Sequence, residues 1–452
     1  MQKKFTKSAL AAAVSLVLLG GMGTLHAAVN VQCPEDTNQN GIPPTDIYGH
    51  VLDAADVDQP HVKCMHLTAG DGFSEMSDGH AQYTFGFADH TGSLPSEAIA
   101  DGILAARWPG STIMLDEGDE FYLSLTNVGT VMRPDLFDPH TVHYHGFPNA
   151  ATVFDGVPEV SIAINMGSTL TYYYNVVNPG TYLYHCHVEA TEHMEMGMLA
   201  NLYVHARQDE TGYDVDRNGT IDAAELAATQ GTRKGGTAGN PMGYAYNDGD
   251  GTTAYDAEAP IQVSGFDSKF HDAHIQVQPL PFSTLETNYP QINGRGYPDT
   301  VLDDVNRDPA TLPAMHPPRD TDGFLNGIPG DTTPLNNGDV SQDKGARITV
   351  TAGQKLLLRL SNVSIDRFFT LTAPGLKMKV VGTGARQMRG VTGKNVYVES
   401  SSINFGGGEA QDVIIDTTGV APGTYFLTAA DFYQMSNKTQ LDGGLITEIT
   451  VN

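Results

Sequence analysis

Tyr184-His185-Cys186-His187-Val188-Glu189-Ala190-Thr191-Glu192-His193-Met194-Glu195-Met196-Gly197-Met198 is the stretch on which the reading of this chain turns. Successive side chains of a β-strand point to opposite faces, so Cys186 faces one way while His185 and His187 face the other. Cys186, His193 and Met198 supply one thiolate, one imidazole and one thioether. A second imidazole would complete a trigonal His₂Cys copper site with a weak, long axial Met. His140 offers it, upstream in His140-Thr141-Val142-His143-Tyr144-His145-Gly146. His143 and His145 are two residues apart and share a strand face, whereas His140, at odd spacing from both, can turn to the Cys186 side. Met194 and Met196 compete with Met198 as thioethers.

An HxHG strand followed by an HCH run with a trailing His and Met resembles the multicopper oxidase family. Asp155-Gly156-Val157-Pro158 and Pro179-Gly180-Thr181-Tyr182-Leu183-Tyr184 read like that family's first domain. The resemblance implies type 1 copper at His140, Cys186, His193 and Met198, the last preferred because the family places its axial Met after a Gly, here Gly197. It also implies type 2/type 3-like copper at His143, His145, His185 and His187. Electrons would then pass from Cys186 through His185 or His187. The loop departs from the family pattern, with five residues between His187 and His193 where many members have three.

The chain repeats itself. "EGDEFYLSLTNV", ending near Asn127, mirrors "AGQKLLLRLSNV", ending near Asn362, and "PGTYLYHCH" from Pro179 mirrors "PGTYFLTAA" from Pro422. Both copies alternate apolar and polar residues between Gly, Pro and Asn punctuation, the pattern of short strands in a sandwich or barrel. The expected fold is all-β, with two cupredoxin-like Greek-key domains at residues 29–206 and 259–452 and a polar linker at 207–258. Alignment of the copies sets Thr428-Ala429-Ala430 opposite His185-Cys186-His187, so the second domain lacks type 1 ligands. "SGFDSKFHDAHIQVQPLPF" and "INGRGYPDT" look like a second domain of the oxidase family, so the resemblance covers most of the mature chain.

Lys3, Lys4 and Lys7 precede an apolar run from Ala9 to Leu19, which reads as a secretory signal peptide over residues 1–28. The expected location is therefore periplasmic or extracellular, and no later stretch is apolar enough to span a bilayer. The formal net charge of −28 over 452 residues disfavours nucleic acid and anionic membranes as partners. The same charge favours cations or a basic redox protein. With Cys186 assigned to copper, Cys33 and Cys64 remain for a disulfide in an oxidising compartment. In the linker, Asp214, Asp216, Asn218, Gly219, Thr220, Asp222 and Glu225 fit the positions of an EF-hand loop, and calcium is the expected ion. Asp36, Asn38 and Asn40-Gly41 imitate the start of such a loop without its closing Glu.

A family-type trinuclear cluster takes eight histidines, half from each of two domains. The second domain offers His271, His274 and His316 and no HxH pair. Three functions fit that count. One is a copper oxidoreductase that takes electrons from a metal ion or phenol and passes them to a second, histidine-bound copper, with oxygen as a candidate acceptor. In that case subunits would close a homo-oligomer, with His271 and His274 the candidates to complete a neighbour's site. Another is a copper nitrite reductase-like enzyme, against which stands His143 where that family carries an Asp. The last is an extracellular electron-transfer or copper-binding protein that does not turn over as an oxidase.

Overall fold

The computed structural model describes residues 29–78, 80–147, 151–233, 240–301 and 345–452. The expected leader, residues 1–28, and His316 lie outside the described residues. No helix among the described residues is long and apolar enough to cross a membrane.

The first half carries β1 (Val62–Glu75), β2 (Ala81–Asp89), β3 (Ile113–Asp116), β4 (Glu120–Gly129), β5 (His143–Tyr144), β6 (Thr169–Asn175), β7 (Gly180–His185) and β8 (Leu199–His205). These form two sheets, β2-β1-β4-β6 and β3-β8-β7-β5. The period-2 pattern dictates which face is buried. Phe121, Leu123 and Leu125 of β4 and Tyr172 and Tyr174 of β6 are fully buried in the core between the sheets. The cysteine pair is bridged, Cys33 to Cys64, which ties the N-terminal segment to β1.

Between the halves lie the short helices Gln208–Thr211 and Ala223–Thr229 and the two-residue strands β9 (Gly243–Tyr244) and β10 (Ala254–Tyr255). The second half carries β11 (Ala257–Phe266), β12 (Tyr289–Ile292), β13 (Ile348–Val350), β14 (Lys355–Asn362), β15 (Phe369–Thr372), β16 (Met378–Thr383), β17 (Arg386–Gln387), β18 (Val398–Ser400), β19 (Ser402–Phe405), β20 (Ala410–Asp416), β21 (Gly423–Ala429) and β22 (Ile446–Val451). The sequence repeat reappears as topology. β11 runs parallel to β14 as β1 does to β4, and β13 parallel to β22 as β3 does to β8. Asn127 and Asn362 end equivalent strands and do the same work. Each donates from Nδ2 to two backbone carbonyls and accepts a backbone N–H two residues on.

The halves are joined by an apolar seam, which includes Trp108, Leu183, Phe266 and Tyr289, and by a buried polar network. Arg359, fully buried, donates through Nε to Glu258 at 2.8 Å and lies 3.6 Å from Asp412. His205 reaches Glu258 at 2.8 Å and Asp116 at 3.2 Å. Thr181 Oγ1 donates to Asp412 at 2.6 Å, and Tyr246 from the linking segment donates to its other oxygen. Loss of one member strands a buried charge, which costs about 3–5 kcal/mol where no other partner replaces it. This network sets the second half against β7.

The network carries a pH signature. Burial opposes charge on His205, but Glu258 and Asp116 outweigh it and raise the imidazole from 6.5 to about 9. A raised folded-state value contributes stability in full below about pH 6.5, and that contribution is lost as pH climbs through about 9. Thermal melts should therefore show Tm falling across this window, and His205→Gln should flatten that part of the curve while lowering Tm at pH 6.

Candidate metal centre

Three segments converge on Cys186. An antiparallel bridge to Ile164, with hydrogen bonds of 3.0 and 2.9 Å, sets His140. Cys186 follows β7, whose register pairs His185 with Leu199. Met198 therefore stands opposite Cys186, with Cys186 N donating to Met198 O at 3.0 Å. Directly opposed residues of an antiparallel pair point to one face, so Met198 shares the face of Cys186. The loop runs into the helix Ala190–Met196, which ends at Gly197 with φ 122°. A side chain at Gly197 would also stand 2.4 Å from the Phe85 carbonyl oxygen, so the Gly before Met198 is a steric requirement. Met194 packs on the Trp108 seam, away from the cysteine, whereas Met196 is buried in the first core.

His193 Nδ1 lies 3.3 Å and His140 Nδ1 3.8 Å from Cys186 Sγ, and all three side chains are buried. The three donor atoms fall within 4.8 Å of one another. Neither Nε2 atom has a hydrogen-bond partner, and Asp138 Oδ2 lies 3.9 Å from that of His193. Burial holds His140 well below the usual histidine range, so its ring is neutral and can donate a lone pair. A thiolate-forming cysteine and two imidazoles that converge through Nδ1, with a thioether on the same face, fit copper.

The other face gathers the four remaining histidines. His143 pairs with His185 in the β5–β7 register. Ring centroids of His143 stand 5.5, 5.4 and 4.9 Å from those of His145, His185 and His187. Three of the four use Nδ1 on a backbone carbonyl: His143 on Asp155 at 2.6 Å, His145 on Gly408 at 3.0 Å and His185 on Cys186 at 2.7 Å. A donated Nδ1–H fixes the tautomer that leaves Nε2 bare for a metal. Nε2 of His145 and His185 are 3.0 Å apart, and donor atoms of His143, His145 and His185 cluster within 4.8 Å. Burial keeps His185 neutral, its value lowered to about 3. His187 stands beside His143, outside that three-donor group.

A cleft of about 520 Å³ opens onto this face, lined by His143, His145, Asp155, Thr181, Gly384, Gly408 and Ala410. The second half thus meets the histidines with glycine, alanine and a carbonyl. Its counterpart of Cys186, Ala429, is buried in the second core and pairs with Leu371. The expectation that His271 and His274 close a neighbour's site is overturned. Both are buried on the opposite side of β7, inside their own chain, with His271 Nδ1 on Tyr83 O and His274 on Arg133 and Glu192. The expected closed oligomer loses the residues on which it rested.

In the linking segment, donor atoms of Asp214, Asp216 and Glu225 lie within 4.8 Å of one another. Asp214 accepts from the N–H groups of Asn218 and Gly219. Asp222 and Glu225 form a capping box at the start of the helix Ala223–Thr229. Thr220 donates its N–H and hydroxyl to Asn218 Oδ1.

Sequence models described as multicopper oxidase match residues 101–209 and 297–452, together more than half of the chain. The chain belongs to the multicopper oxidase family. Copper is thus its expected metal, and the cupredoxin-like all-β fold is that of its relatives. Copper resistance protein A of Escherichia coli is 25% identical over 319 residues, 69% of this chain and 42% of that protein. L-ascorbate oxidase of Cucurbita pepo var. melopepo is 36% identical over 99 residues, 21% of this chain and 16% of its own length. The chain thus spans less than half the length of either relative. Among solved structures, the blue copper oxidase of Nitrosomonas europaea superposes with TM-score 0.54 at 19% identity over 86% of each chain. A multicopper oxidase termed mgLAC gives TM-score 0.54 at 18% identity, again over 86% of each. At that identity the likeness speaks for the fold alone.

Three substitutions probe the Cys186 face of this family member. Cys186→Ser should abolish the strong visible absorption of copper-loaded protein, because the band is a thiolate-to-copper transition. Met198→Leu should keep the colour and raise the midpoint potential, since loss of a weak donor favours the reduced ion. Met194→Leu should leave the potential unchanged, and a larger shift there would show that the loop supplies a different thioether.

Proposed function

We propose that this chain is an exported copper oxidoreductase that takes single electrons from a metal ion or a phenolic donor. His140, Cys186, His193 and Met198 would hold a type 1 copper, and His143, His145 and His185, with His187 beside them, a second copper. The relay residues are Cys186, His185 and His187. Copper would supply one-electron redox chemistry at both places. What supports the reading is that two donor sets stand on opposite faces of one strand and meet at Cys186. Its sulfur belongs to one set, and its carbonyl accepts the Nδ1–H of His185 in the other. Burial of His140, Cys186 and His193 excludes solvent from the first set and would keep reorganisation small on electron transfer. The cleft on the second face is open and large enough to admit a small acceptor such as oxygen.

A second reading, electron transfer without oxidase turnover, is favoured by one observation. Among the described residues the second half brings no histidine to the cleft, and no family-type cluster of eight is assembled among them. For the linking segment, residues 207–258, we propose calcium binding by Asp214, Asp216, Asn218, Thr220, Asp222 and Glu225, with the ion ordering a tether between domains at 29–206 and 259–452.

His143→Ala with His187→Ala should stop oxygen consumption with ferrous iron or a phenol and leave the blue band intact. Native protein that turns over neither donor, yet exchanges electrons rapidly with a redox partner, would establish the carrier reading. Titration calorimetry should show calcium binding weakened by Glu225→Gln, which removes a bidentate charge. A wild-type protein without calcium-dependent heat would reduce the loop to an acidic tether.

A further inference from the structure

The helix Ser268–Ile275, in the second half, contributes nothing to either donor set, yet it grips both segments that carry the Cys186 set. His274 is the bridge. Its Nε2–H donates to Glu192 Oε1 at 2.9 Å, on the helix that bears His193. Its Nδ1 accepts from Arg133 Nη1 at 3.0 Å, and its carbonyl oxygen accepts from the same nitrogen. A guanidinium only donates, so Nδ1 is bare and the proton sits on Nε2. Both contacts therefore demand one tautomer. Arg133 is locked in turn on Asp135, with hydrogen bonds of 2.8 and 2.7 Å, in the loop that runs into His140.

One turn further along the His193 helix, Glu195 is buried and accepts the backbone N–H of Asp267 at 2.7 Å. His271 Nε2 lies 3.8 Å from the same carboxyl oxygen. Glu192 and Glu195 are three apart and share a helix side. Phe85 packs edge-on against His193 at 5.7 Å and His274 at 4.9 Å, filling the space between the grip and the donor set.

The His193 helix needs such a grip. It has seven residues, starts at Glu189 in the left-handed region without a side-chain cap, and ends at Gly197. A helix of that length has no stability of its own in water. Its backbone nonetheless fixes the spacing of His193 and Met198.

We propose that the helix Ser268–Ile275 is the positioning element for the His140, Cys186, His193 and Met198 set, with His274 as the positioning residue. His274 holds the loop that enters His140 at a fixed distance from the helix that carries His193, so the two Nδ1 atoms and Sγ stay converged. The second half, which has no type 1 ligands, thereby keeps a role at the type 1 centre. The proposal rests on the reading that this set holds copper.

Copper(II) affinity by chelator competition, the charge-transfer band and the midpoint potential would be measured for full-length variants. Glu192→Ala and His274→Ala should each lower affinity about 10-fold, the lower end of what removal of a ligand's support costs. They should also shift the band and raise the potential, because a loosened His193 stabilises the oxidised ion less. Glu192→Gln still offers an oxygen to His274 Nε2 and should restore all three readouts. Tyr246→Phe breaks a contact of the linking segment with the second half, remote from the grip. It should lower Tm and leave affinity, band and potential unchanged. If Glu192→Ala and His274→Ala lower Tm but keep native affinity, band and potential, the helix is a prop and the proposal is overturned. A wild-type protein that forms no blue centre with copper would overturn the copper reading itself, and the proposal with it.

Discussion

The alternation of side chains along β7 is the constraint from which the rest of this molecule follows. A thiol at Cys186 and imidazoles at His185 and His187 cannot point the same way on an extended backbone. The strand therefore divides its chemistry between a closed, apolar pocket on one face and an open cleft on the other. Register does the remaining assembly. β5 sets His143 opposite His185, and the turn into β8 sets Met198 opposite Cys186. Slippage by one residue would exchange the two faces and destroy both sets at once. Fully buried neighbours such as Leu183, Tyr184 and Leu199 make such a slip costly.

The duplication explains the division of labour between the halves. Both copies keep the parallel strand pairs and the asparagine that ends the long strand, because these hold a sandwich together whatever it binds. The second copy has exchanged its ligand positions for core residues, with Ala429 in the place of Cys186. Its remaining duties are spatial. Gly384, Gly408 and Ala410 form a wall of the histidine cleft, and Gly408 supplies the carbonyl that orients His145. Arg359, Glu258, His205 and Asp412 fix that wall against β7. The buried charges hold the relative position of two sheets on which the cleft depends, and position rather than net stability is what such a network supplies best.

Much of this was legible in the sequence because it is local. Strand spacing and the family resemblance sort His140, Cys186, His193 and Met198 from His143, His145, His185 and His187, and donor atoms of His140, Cys186 and His193, and of His143, His145 and His185, lie together in the fold. The all-β pattern and the repeat are likewise written in strand periodicity and turn residues. What the sequence could not show was contact across the halves. His271 and His274 look like spare ligands when histidines are counted. Their buried positions and their partners Tyr83, Arg133 and Glu192 belong to tertiary packing, which no spacing rule reports. Gly408 gives no signal either, since its part is played by a backbone oxygen. Asp155 is quoted in the sequence as a family marker, yet it acts here through its carbonyl on His143. The turn at Gly219, φ 90°, and the gathering of Asp214, Asp216 and Glu225 are legible because they lie within one short segment.

The proposed function has one strand separate two copper sites, the second mononuclear because, among the described residues, the second half brings no histidine to the cleft. Electron paramagnetic resonance on copper-loaded protein, with total copper measured on the same sample, tests this most directly. The account predicts two coppers per chain, both detectable, one with the narrow hyperfine splitting of a thiolate-bound ion and one with ordinary splitting. Four coppers per chain with half of the signal silent would contradict it, since a coupled pair needs more histidines than the described residues bring to the cleft.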